Sequence, residues 1–164
     1  MVYNNIKYME NYAMTKVAVG CDHGGYVLKD SVISTLKELG AQVVDFGCDS
    51  ADVSVDYPEY GYKVAKAVQC GECDLGVVMC GTGIGISIVA NKVKGIRAGL
   101  ATNAFMAKAT REHNNANVLA LGGRVVSPSE AREIVKAWYT ASFEGGRHQR
   151  RIDLISQIEG DNYD

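Results

Sequence analysis

Residues 74–92 read DLGVVMCGTGIGISIVANK. After Asp74, the run to Cys80 is apolar without polar alternation, as expected of a strand buried on both faces of a sheet. Glycines and Thr82 then turn the chain, and a helix is predicted to begin near Gly85. Strand, tight turn and helix in succession form the repeating unit of a parallel sheet. Whether the rest of the chain repeats that unit decides the fold.

It does. Strands are predicted at Lys16–Cys21, Gln42–Phe46, Asp74–Cys80, Ile96–Thr102 and Asn117–Leu121. Between the first two, Leu28, Val32, Thr35, Leu36 and Leu39 share one helical face, with Gly40 where a C-terminal cap belongs. Asp56-Tyr57-Pro58 opens the next helix, whose inner face carries Val64, Ala65 and Val68. Asn103–His113 is a helical stretch, and Ser127-Pro128-Ser129-Glu130 combines a capping box with proline at the first helical position. The helix it starts is expected to bury Ala131, Ile134, Val135 and Trp138. A last helix, about Arg147–Ile158, presents Ile152, Ile155 and Ile158. Five strand–helix units predict an α/β sandwich of three layers, a five-stranded parallel sheet with helices on both faces.

With 164 residues the chain is about one domain. We divide it into an N-terminal extension, 1–14, expected to be poorly ordered, a single domain at 15–159, and a tail at 160–164. The net charge of −2 and pI near 5.9 supply no basic field for nucleic acid or an anionic membrane. The longest uncharged run, Leu75–Asn91, is too short and too glycine-rich for a membrane span. Five cysteines without an export signal point to reduced thiols and a cytoplasmic location. Cys70 and Cys73 form C-G-E-C, but they end a helix rather than begin one, which is the wrong setting for a redox pair. No second ligand pair accompanies them to make a zinc site.

In parallel sheets ligands bind beyond the carboxyl ends of the strands, so chemistry is expected in the loops there. The G-T-G-I-G of residues 81–85 lacks GxGxxG spacing, and Ile96–Thr102 carries no acidic residue for a ribose, so a dinucleotide site is disfavoured. What remains is a bend of backbone N–H groups able to hold an anion, including one that exists only in a transition state. Cys80 beside it reads either as a base or nucleophile or as a small buried residue. Asp22-His23-Gly24-Gly25 reads either as a sugar and phosphate site or as a solvated turn. His113 is either an acid–base group or a partner of the helix dipole. Arg147 and Arg151 share a face and could grip one phosphate, or simply be solvated.

Taken together and in order, GCDHGG, DYP, CGTGIGISIVANK, REHNNANVLALGGR and EGGRHQRR resemble the ribose-5-phosphate isomerase B family, over Thr15 to about Glu159. The resemblance implies a Rossmann-like sandwich that holds no nucleotide. It implies an aldose–ketose isomerase acting on ribose 5-phosphate and ribulose 5-phosphate, without metal or organic cofactor. It also implies a homodimer whose sites draw on both subunits, and leaves open whether dimers pair further into a dimer of dimers. By resemblance, Cys80 is the base, Thr82 assists it and His113 opens the sugar ring. Asp22, His23, Tyr57, Gly81, Gly83, Ile84, Gly85, Asn114, Arg124, Arg147 and Arg151 then bind substrate. Relatives of the same fold isomerise hexose 6-phosphates such as those of allose and galactose, which leaves the substrate's length open.

Overall fold

A computed structural model describes residues 14–163, so the expected N-terminal extension lies, but for Met14, outside the described residues. Eleven elements alternate as expected among the described residues. They are β1 (Lys16–Cys21), α1 (Tyr26–Glu38), β2 (Gln42–Asp45), α2 (Tyr57–Gln69), β3 (Leu75–Cys80), α3 (Ile84–Ala90), β4 (Ala98–Leu100), α4 (Ala104–Asn114), β5 (Val118–Gly122), α5 (Pro128–Thr140) and α6 (Arg147–Tyr163). The five strands form one sheet in the order β2-β1-β3-β5-β4, and every pairing is parallel.

Burial follows position in the sheet. The central strands β3 and β5 are wholly buried, which is why they read as uninterrupted apolar runs. On one face Val17, Val19, Val77, Met79, Leu119 and Leu121 pack against α1 and α5, with Leu28, Leu36, Ile134 and Trp138 completing the layer. On the other face Ala18, Val78 and Ala120 meet Val64 and Ala65 of α2 and Ile86 and Ala90 of α3. Side chains alternate across each strand, so one sequence feeds both layers.

The edge strands are less regular. β4 is three residues long instead of the expected seven. The Asn91 side chain takes over part of its edge: its Nδ2 donates to Ala98 O at 2.9 Å and its Oδ1 accepts from Ala98 N–H at 2.8 Å. A side-chain amide thus occupies the backbone groups that an outer strand would have used. Ser127 and Glu130 form the expected capping box at the start of α5. α6 continues to Tyr163, through residues set aside as a tail. Of its three isoleucines Ile152 is buried, while Ile155 and Ile158 are 49% and 61% exposed, so among the described residues the expected inner face does not continue past the helix's first turns.

Val64 sets how closely α2 approaches the sheet. A Cβ added to Gly20 of β1 would lie 2.6 Å from its Cγ2, and one added to Gly76 of β3 would lie 2.6 Å from its Cγ1. The two glycines therefore form a socket for a single valine, and any larger residue overpacks it. Gly76→Ala should destabilise the protein by about 1–3 kcal/mol. In urea denaturation, adding Val64→Ala should cost less in that background than in the wild type. Additive losses would contradict the socket.

Candidate active site

Three turns at the carboxyl ends of β1, β3 and β5 are joined through their backbones. Gly123 N–H donates to Cys80 O at 2.8 Å, Arg124 N–H to Gly81 O at 2.9 Å, and Asp22 N–H to Met79 O at 3.2 Å. A Cβ on Gly123 would lie 2.2 Å from Gly24 O, so at this crossing of the first and third turns only glycine fits.

The side chains are set by this frame. Asp22 is buried, and its Oδ1 accepts from Gly25 N–H at 3.0 Å, which fixes the first turn. His23 Nδ1 accepts from Val55 N–H at 3.2 Å. In the neutral ring this leaves the proton on Nε2, available to a ligand. Cys80 is buried, and its Sγ accepts from Gly83 N–H at 3.1 Å. Gly83 has φ +79°, the left-handed conformation that folds this N–H back onto the sulfur. Thr82 Oγ1 accepts from Ile84 N–H at 3.3 Å and is exposed at the turn. The Tyr57 ring lies against Gly85, where an added Cβ would be 2.7 Å from its Cζ. The Arg124 guanidinium covers Gly81, 3.4 Å from the corresponding position.

Ten of the residues singled out in the sequence thus gather at one edge: Asp22, His23, Tyr57, Cys80, Gly81, Thr82, Gly83, Ile84, Gly85 and Arg124. They combine a thiol, backbone N–H donors, an imidazole and a guanidinium at the β1/β3 position, where strand order reverses. That set can bind a polyol phosphate, abstract a proton and stabilise an oxyanion.

The other four lie elsewhere. α4 runs from the carboxyl end of β4 to the amino end of β5, so His113 and Asn114, its last residues, sit at the amino edge. The Asn114 carbonyl accepts from Arg97 Nε at 2.9 Å, just before β4 begins. Four residues of parallel strand, roughly 13 Å, separate this level from Cys80. Arg147 and Arg151 belong to the start of α6, which approaches the same edge. Glu144 N–H donates to Glu112 O at 3.0 Å, and the His113 and His148 rings stack 4.4 Å apart at 11°.

His148 and Glu144 were not singled out in the sequence. His148 is buried and lies four residues before Ile152, on the buried face of α6, whereas Arg147 and Arg151 are exposed. That i, i+4 relation was a usable signal, masked by the conspicuous arginines beside it. Burial, then the neighbouring His113, holds the His148 imidazole below the usual histidine range.

The Ribose/Galactose Isomerase family matches residues 17–155, nearly the whole described chain, and the chain belongs to that family of sugar isomerases. It is 49% identical to ribose-5-phosphate isomerase B of Escherichia coli (strain K12) over 146 residues, 89% of this chain and 97% of that one. The solved structure of Clostridium thermocellum ribose-5-phosphate isomerase B is 54% identical, with a TM-score of 0.87 over 90% of this chain and 99% of that one. That of Mycoplasma genitalium ribose-5-phosphate isomerase B, with bound ribulose-5-phosphate, is 43% identical, with a TM-score of 0.84 over 89% and 97%. The five-stranded parallel sandwich is thus the fold of these isomerases. No helix among the described residues is long and apolar enough to cross a membrane.

The thiols differ sharply in accessibility. Cys70 is exposed, while Cys21 and Cys73 are buried. Burial, with Cys48 adjacent, pushes the Cys21 thiol up to about 12, and burial also raises that of Cys73. Near pH 8 both stay protonated and unreactive. Iodoacetamide followed by mass spectrometry should therefore label Cys70 in the native protein, and Cys21 and Cys73 only after unfolding. Rapid native labelling of Cys21 would contradict this environment.

Proposed function

We propose that this protein interconverts ribose 5-phosphate and ribulose 5-phosphate through an enediolate, with Cys80 as the base. The observation that carries the reading is the Cys80 Sγ held 3.1 Å from Gly83 N–H, at the head of a turn of further backbone donors and beside the Asp22–His23 turn. Family membership and the ribulose-5-phosphate bound in the M. genitalium relative support the substrate.

The sugar arrives as a closed ring, so a proton must first move between ring oxygen and hydroxyl. His113 does this. Because it lies at the opposite edge of its own sheet from Cys80, the histidine comes from a second copy, with Asn114 beside it. Arg147 and Arg151 accompany it from the same edge, and with His23 and Arg124 they hold the phosphate. Asp22 and Tyr57 meet the sugar. Cys80 as thiolate then takes the proton from C2 of the open aldose, the electrons of that C–H bond flow to the O1 carbonyl oxygen, a proton passes from the C2 hydroxyl to O1, and as the C2 carbonyl forms the thiol returns its proton at C1. Thr82 steadies the sulfur's side of the turn. The oxyanion of the enediolate is met by the N–H groups of Gly81–Gly85, fixed before the reaction by the backbone bonds between the turns. Phosphate binding far from the reacting carbons supplies the positioning. Each step is carried by the chain's own side chains and backbone, with no cofactor or metal.

Cys80→Ala should lower kcat by about 10²–10⁴-fold while sugar phosphate still binds. Arg147→Ala should act on KM, raising it roughly tenfold or more, with a smaller effect on kcat. Dialysis against a chelator should leave turnover unchanged. Wild-type turnover in Cys80→Ala would overturn the assignment of the base. The substrate is tested by kcat/KM for ribose 5-phosphate, allose 6-phosphate and galactose 6-phosphate under one set of conditions. The pentose should be preferred, and a preference for either hexose would replace it.

A further inference from the structure

At the amino edge, His113, Glu144 and His148 remain without a ligand of their own beyond the part given to His113. Their nearest donor atoms all lie within 4.8 Å of one another, the one such grouping among the described residues. Both Nε2 atoms lie near the same carboxylate oxygen: His113 Nε2 is 4.0 Å and His148 Nε2 3.5 Å from Glu144 Oε2. These lengths exceed those of hydrogen bonds, so three donor atoms converge on one point without satisfying each other. His148 is 6% exposed as a residue, and its imidazole nitrogens make no hydrogen bond elsewhere among those described.

We propose that these three side chains form a binding site for a divalent transition-metal cation of the zinc class. Two imidazole nitrogens and one carboxylate oxygen make a His₂Glu donor set, which suits zinc and its neighbours and does not suit the all-oxygen preference of magnesium or calcium. Tetrahedral coordination at the usual bond lengths puts ligand atoms about 3.4 Å apart, so Glu144 Oε2, now 4.0 and 3.5 Å from the two nitrogens, must draw in by up to about 0.6 Å, and the two imidazole nitrogens, within 4.8 Å of each other, by up to about 1.4 Å. Glu144 is free to make its part of that movement, and the half-exposed His113 ring to make the rest. The Glu144 side chain is 53% exposed, and it precedes Gly145 and Gly146, both in the left-handed region with φ +65° and +54°. The backbone around it is nonetheless anchored, through Glu144 N–H to Glu112 O and His148 N–H to Gly145 O, each at 3.0 Å. The two rings stack 4.4 Å apart at 11°, so one ion can lie in both ring planes only after the half-exposed His113 imidazole turns out of the stack. In the single chain His113 and Glu144 are both partly exposed, which leaves room for a fourth ligand, water or substrate.

Arg147 and Arg151 act on the same region. They oppose a cation, so the site is expected to bind more weakly than a closed structural zinc site. Its occupant would not serve the reaction. On the reading of the preceding subsection, a metal on His113 withdraws the ring-opening group, which makes the ion a reversible inhibitor rather than a cofactor.

Co²⁺ titrated into the full-length protein tests the site directly. Visible absorbance should show one ion per chain, displaced by Zn²⁺, without the intense near-ultraviolet band that a cysteine thiolate ligand gives. Glu144→Gln, made on an exposed side chain, should weaken binding by about tenfold or more, and His148→Gln likewise, with circular dichroism confirming that both remain folded. A thiolate band, wild-type affinity in Glu144→Gln, or no binding at millimolar Co²⁺ would each overturn the proposal. No turnover is measured, so its failure leaves the isomerase reading standing, and loss of that reading leaves the metal site standing.

Discussion

A parallel sheet separates its chemistry by direction. Every crossover helix must return the chain from the carboxyl ends of the strands to the amino ends, so residues ending a strand and residues ending the next helix lie on opposite edges. Here that constraint places Cys80, at the end of β3, away from His113, at the end of α4. The pairing of β3 with β5, residue for residue from Gly76↔Val118 to Cys80↔Gly122, fixes the separation rigidly. No side-chain rotation can cross it. A reaction that needs both groups therefore needs two chains, and the fold itself, rather than any special interface residue, creates that need.

The carboxyl edge is correspondingly built for rigidity. Its turns are tied by backbone hydrogen bonds that run from one strand end to another, and the closest crossing, Gly123 against Gly24 O, leaves no room for a side chain. A loop so held keeps its N–H groups aimed before any charge develops, which is what oxyanion stabilisation requires. The amino edge is built differently. Glu144 is half exposed and stands before two left-handed glycines, an arrangement suited to groups that must reach a ligand supplied by another molecule.

Much of this was legible in the sequence because burial leaves a pattern. Strands β1, β3 and β5 carry unbroken apolar runs since both of their faces are covered, and the capping box at Ser127–Glu130 announced α5 to the residue. The failures came where side chains or solvent replaced backbone pairing. β4 was overestimated at its start because Ile96 N–H closes a turn on Val93 O and Arg97 N–H is taken by the Asn117 side chain, so neither N–H enters the ladder. Ile155 and Ile158 fit a helical stripe, yet among the described residues they stay 49% and 61% exposed. Of the candidate site, the ten residues gathered at the carboxyl edge follow from strand ends, which periodicity locates. Glu144 and His148 do not, because their association with His113 arises from a loop and two helices far apart in the sequence.

The proposed reaction requires Cys80 and His113 to meet across two chains. The direct test co-expresses Cys80→Ala and His113→Ala chains under different tags and purifies the hybrid assembly. A hybrid dimer keeps one site with both groups intact and one with neither, so it should show about half the wild-type activity, while each variant alone is nearly inactive. A hybrid no more active than its parents would show that both groups must come from one chain, and would contradict the account.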